Sequence, residues 1–141
     1  MSPLYDFALW LAGLGHFCIL MASFQVPSRL GWKQDLAKLT PFNRKLMWTY
    51  GAFTVMTILA FGVLTLVLHE ELLRGDRAAL GLAVFIGIYW IARVIVDLFY
   101  FEHKDWPSGS QFVAGHILLT SLFVALAVTY LSLVIWQIGF R

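Results

Sequence analysis

Residues 112–140 read FVAGHILLTSLFVALAVTYLSLVIWQIGF, a stretch without a single Asp, Glu, Lys or Arg. A hydrocarbon core about 30 Å thick is crossed by about 20 apolar helical residues. The run is longer than one crossing needs, so it tilts or protrudes. Working back along the chain, Phe7 to Val26 and Leu46 to Leu68 are equally free of formal charge, and Ala78 to Phe101 carries only Arg93 and Asp97. None of these runs has the period-two alternation of a barrel strand, and an open sheet cannot satisfy its backbone in lipid. The expected fold is an all-α integral membrane protein in one domain over residues 1–141, with four transmembrane helices in a bundle at about 7–26, 46–68, 78–101 and 112–137. A basic amphipathic interfacial segment is expected at 28–40, between the first two helices.

Composition agrees. The chain is 60% hydrophobic and 13% charged, with a mean hydropathy of +0.79, against roughly 45–50% and about 25% in ordinary soluble domains. This excludes disorder, a nucleic-acid-binding module and a secreted disulfide scaffold. Cys18 is the sole cysteine, so there is no internal disulfide or Cys-x-x-Cys pair, and in an apolar run it reads as a small buried hydrophobe. The first span has no basic leader, and its apolar stretch exceeds the usual 7–15 residues of a signal peptide, so it reads as a true span.

Helix-boundary chemistry punctuates the runs. Ser2-Pro3 and Thr40-Pro41 place a capping hydroxyl before a proline at the first helical position. Asp76 is placed to cap the third span, and Ser108 or Ser110 the fourth. The first connection holds Arg29, Lys33, Lys38, Arg44 and Lys45 against Asp35 alone; the second holds Arg74 and Arg77 against Glu70, Glu71 and Asp76; the third holds Lys104. Basic residues collect on the cytoplasmic side. The 27–45 connection is therefore expected in the cytoplasm and both termini outside it, with a bacterial inner membrane as the natural setting. Leu30, Trp32, Leu36 and Leu39 alternate with these cations at near-helical spacing, the pattern of a helix lying in the headgroup plane. It reads first as an anchor, and more sharply as a docking surface for a partner or an anionic lipid.

Ionisable residues at membrane depth are costly unless paired, and four occur: His16, Arg93, Asp97 and His116. Arg93 and Asp97 are one helical turn apart and share a face, which Tyr89 and Tyr100 extend. They form either a neutralising pair that locks the helix or a site in which Arg93 binds an anion or carbonyl and Asp97 handles a proton. His16 and His116 each follow a glycine. An intramembrane histidine is ordinarily an interhelical hydrogen-bonding group, but two beside glycines also suit axial ligation of haem. At 1.5 Å per residue, His16 lies about 15 Å from the cytoplasmic edge, Arg93 about 12 Å, and Asp97 and His116 about 6 Å. The mismatch disfavours one haem shared by the two histidines and favours Asp97 beside His116 and Arg93 near His16. His69 and His103 fall at span ends, in or near water.

No phosphate loop, metalloprotease motif, nucleophile elbow or metal-ligand spacing is present, so no catalytic residue is assigned, no metal is expected, and activity of its own is not expected. The leading expectation is an accessory or structural subunit of a larger membrane complex, with the lipid bilayer and other membrane subunits, not nucleic acid, as partners. The first alternative is a redox subunit holding haem b or a quinone in the cytoplasmic half through His16, His116 and Arg93. The second is a proton-coupled carrier or small membrane enzyme using Asp97 and His116.

Overall fold

The computed structural model describes residues 3–101 and 109–139. Every element in it is helical: α1 (Pro3–Arg29), α2 (Trp32–Leu36), α3 (Pro41–Val67), α4 (His69–Arg74), α5 (Arg77–Ile95), a π-helical turn (Val96–Tyr100) that continues α5, and α6 (Ser110–Gly139). The four long helices, counting α5 with its π-turn as one, are long and apolar enough to cross a membrane. The residues Ser2, His103, Lys104 and Ser108 of the sequence argument lie outside the described residues.

The helices pack as two antiparallel pairs, α1 with α3 and α5 with α6, and α1 also meets α6. In lipid, van der Waals fit and interhelical hydrogen bonds replace the hydrophobic effect as the force between helices, and here glycine sets the fit. A Cβ on Gly62 of α3 would sit 3.0 Å from the Cβ of His16 and 3.4 Å from the carbonyl of Gly13 on α1. Gly15 turns to α6, where a Cβ would meet Leu122 at 3.3 Å. The shared core runs through Leu9, Ile19, Ile86, Trp90, Leu126 and Tyr130, all nearly or fully buried.

Several boundaries differ from expectation, each for a local reason. Helix α1 runs through Pro27 to Arg29. The proline forfeits one N–H, yet Leu30 still donates to Val26 (2.9 Å) before Gly31, at φ 68°, breaks the helix. Of the anticipated 28–40 amphipathic segment, Ser28 and Arg29 close α1 and only Trp32–Leu36 form a helix of their own, seated by the ring of Trp32 against Trp48 (5.6 Å) and by burial of Leu36, while Leu39 is exposed. Thr40 holds the N-cap position of α3, but its hydroxyl makes no capping bond. Asp76 likewise precedes α5, and its carboxylate accepts from Arg74 (3.0 Å) instead of from the helix. Ser110 is the first residue of α6, following Gly109. The stretch after α3 is a further helix, α4, closed by left-handed Gly75: Gly75 donates to Leu72 and Asp76 to Glu71, the Schellman pattern. Cys18 is exposed on the outer side of α1, not buried.

The glycine contacts yield a direct test. Gly62→Val should cost about 1–3 kcal/mol through overpacking, read as a lower unfolding midpoint in detergent. Gly81→Val, at a position with nothing within 4 Å of the added Cβ, should be close to neutral.

Candidate functional site

The π-turn builds the site. Its i→i+5 geometry is closed by Phe101 donating to the Val96 carbonyl at 3.3 Å. Within it Asp97 turns inward and is 5% exposed, while Leu98, Phe99 and Tyr100 turn outward. Asp97 pairs through Oδ1 with Arg93, one turn earlier, and through Oδ2 receives the Thr120 hydroxyl of α6 at 3.5 Å. The two halves of the ion pair are buried unequally, with side-chain exposures of 41% for Arg93 and 3% for Asp97. The guanidinium lies 5.4 Å from the ring centre of Phe123 and 6.0 Å from that of Phe101, where ring faces attract a cation. Beside the pair a cleft of about 480 Å³ opens between the end of α5 and the first half of α6, lined by Asp97, His116, Thr120 and Ser121 among apolar neighbours.

The structure thus brings Asp97 and His116 to one cleft, with Arg93 bonded at its edge. Tyr89 packs inward on Phe61 and Trp90 (5.1 and 5.0 Å). Tyr100 is 77% exposed; the π-turn rewinds the helix between Asp97 and Tyr100, so a stripe extrapolated at α-helical spacing ends before it. Gly115, beside His116, faces open space.

His16 belongs to a different environment. It is fully buried, its Nδ1 lies 2.8 Å from the Ala12 carbonyl, and its Nε2 receives the indole N–H of Trp90 at 3.0 Å. Tryptophan can only donate, so Nε2 is unprotonated, Nδ1 carries the hydrogen, and the imidazole is neutral. The lone pair that would ligate an iron is therefore engaged by Trp90. Arg93 reaches His16 only through rings: Phe123 beneath the guanidinium stacks on Trp90 at 4.9 Å.

Sequence reasoning does not single out Thr65 or Gln137, and it places His69 in or near water. Thr65 donates to the Phe61 carbonyl (2.7 Å), so its oxygen accepts from Tyr130 of α6 (2.5 Å). Gln137 donates to the Leu73 carbonyl (2.5 Å), fastening α6 to α4. His69 is 6% exposed rather than solvated; it stacks on Trp10 (4.4 Å) and donates from Nε2 to Asp6 (2.6 Å). Asp6 stands in the first turn of α1 and His69 just past the end of α3, which antiparallel helices of equal length bring to one level. That length match was the available signal. The basic residues Arg29, Lys33, Lys38 and Lys45 are exposed and Arg44 is half-buried. No group of three or more His, Cys, Asp or Glu side chains able to hold a metal occurs among the described residues.

No protein-family model, curated protein or solved structure matches this chain.

The unequal burial of the ion pair predicts an ordered response. Arg93→Leu strands a buried carboxylate and should cost roughly 3–5 kcal/mol, as for broken buried pairs. Asp97→Leu leaves a half-exposed guanidinium that can turn to the headgroups, so its loss should be smaller. The double Arg93→Leu/Asp97→Leu chain should recover much of the folded yield in size-exclusion chromatography; equal single-mutant losses or no recovery would contradict the geometry. For the core pair, a double-mutant cycle on His16→Leu and Trp90→Phe should show a coupling of about 0.5–3 kcal/mol, the range for residues in contact, in thermal unfolding.

Proposed function

We propose that this chain is a small polytopic membrane protein that serves as an accessory subunit of a larger membrane complex, its helices joined in a four-helix bundle. One observation carries the reading: the α5–α6 flank presents Thr120, His116 and exposed Ser121 to the outside of the helices. His116 and Ser121 stand six and eleven residues into α6, about 9 and 16 Å along the helix. Polar groups at such depth are expensive against lipid and ordinarily face protein or a water-filled cavity. A neighbouring transmembrane segment that offers hydrogen-bonding groups would cover them, using the polar contacts that hold helices together in bilayers. In this reading the basic 27–45 connection faces the cytoplasm and both termini the other side, in a bacterial inner membrane.

A second reading is favoured by the cleft itself. Its 480 Å³ falls within the roughly 300–1,000 Å³ of small-molecule sites, and Thr120, Ser121 and His116 supply hydrogen-bonding groups beside a buried carboxylate. A quinone or another lipid-soluble molecule with a carbonyl or hydroxyl head would suit it. Haem b has less support here, because the His16 lone pair is engaged by Trp90.

Native mass spectrometry of the chain purified from its own membrane in mild detergent separates these. The subunit reading expects a species well above the 16.0 kDa of the chain, depleted by Thr120→Val/Ser121→Ala at unchanged helicity. A lone chain at its own mass would overturn it. A lone chain whose organic extract contains a quinone would instead support the second reading.

A further inference from the structure

The connection from α1 to α3 and the stretch around α4 differ in charge. At the end that holds α2, Arg29 closes α1, Lys33 and Lys38 lie on and just after α2, and Arg44 and Lys45 open α3, with Asp35 as the sole acid of the stretch from Arg29 to Lys45. That acid reaches Lys38 only at 4.0 Å, with both side chains largely exposed. Arg29 is oriented by its Nε donating to Gln25 at 3.0 Å, which leaves its terminal nitrogens for an anion. At the opposite end the charges answer one another: Arg74 pairs with Asp76 at 3.0 Å and lies 3.9 Å from Glu71. The basic end is also amphipathic. Leu39, Phe42, Met47 and Trp48 are exposed at the same level as the cations, while the contact of Trp32 with Trp48 and the closeness of its ring to Gly51 hold α2 down against α3.

We infer that this end is a binding surface for the phosphate headgroups of anionic phospholipids. Large apolar side chains interleaved with cations match a boundary where acyl chains meet phosphates. An acidic protein surface would offer no apolar phase for Phe42, which is 73% exposed. The lysines act as point charges on flexible stems, and the arginines add the planar fork that suits phosphate oxygens. None of these residues lines the α5–α6 cleft, so the inference does not depend on what covers that flank.

The test is native mass spectrometry of the full chain in mild detergent, titrated separately with phosphatidylglycerol and phosphatidylcholine. Phosphatidylglycerol should be retained preferentially, by roughly tenfold or more, given the attraction each Lys or Arg contributes near an anionic surface, and the preference should fall as salt rises. Lys33→Gln/Lys38→Gln/Lys45→Gln should abolish most of it, and Arg74→Gln/Arg77→Gln at the other end should not. Equal retention of the two lipids by the unaltered chain would overturn the inference and point to an acidic protein instead. A preference that survives the triple substitution would overturn it as well. If the triple variant fails to fold, the salt titration of the unaltered chain decides: a preference insensitive to salt overturns the inference.

Discussion

The indole of Trp90 can donate a hydrogen bond and cannot accept one, and the acceptor it meets is Nε2 of His16. That contact fixes the tautomer of the imidazole, its neutrality, and the direction of its other bond to the Ala12 carbonyl. It also joins α1 to α5. The same imidazole meets the ring of Phe61 from α3 at 5.9 Å and that of Tyr130 from α6 at 6.0 Å, both edge-on. All four long helices therefore converge on one side chain. A neutral, doubly bonded histidine costs little in an apolar interior, whereas a charged or half-satisfied one would be the least stable point of the molecule.

Apolar helices are poor at choosing partners in lipid, because the surrounding chains are as apolar as the helices themselves. Directional bonds supply the choice. Tyr130 finds Thr65 and so sets α6 against α3. Seven residues on, about two turns along the same helix, Gln137 takes the Leu73 carbonyl near the end of α4. His69 and Asp6 clamp the start of α4 to the first turn of α1. Each of these bonds joins separate elements, so a helix displaced by one turn would leave several buried donors and acceptors unpaired. Close glycine contacts at Gly62 and Gly15 bring the backbones near enough for the bonds to form.

The helical class was legible because span-length apolar runs separated by charged or turn-forming stretches have few other readings. The polar residues within those runs were legible as candidates, since each is conspicuous against its neighbours. Their partners were not. The depth argument placed Arg93 near His16, but Phe123 and Trp90 stand between them, and hydropathy says nothing about ring stacking. Hydropathy is silent on Asp6, which precedes the first uncharged run at Phe7, and a span end gives no hint that Trp10 covers His69. The extent of α1 past Pro27 and the π-turn at Val96–Tyr100 escaped for a common reason. Both depend on which backbone bonds the packed neighbours stabilise, and single-residue propensity does not encode that.

The π-turn changes what Asp97 means. On a continued α-helix, residues 93, 97 and 100 fall on one face, and an internal ion pair would be a sealed structural device. The wider turn buries the carboxylate while Leu98, Phe99 and Tyr100 swing outward, and it leaves the arginine half-exposed on the flank. Such single π-turns are frequent at functional sites because they re-aim one side chain at the expense of regular bonding. Here the re-aimed side chain ends a continuous line of contacts: His16 to Trp90, Trp90 to Phe123, Phe123 to Arg93, Arg93 to Asp97. The same line explains why the pair sits near an end of the helices. Closer to the middle, a half-exposed guanidinium could not reach the headgroups, and the arrangement would lose the side on which its charge is tolerated.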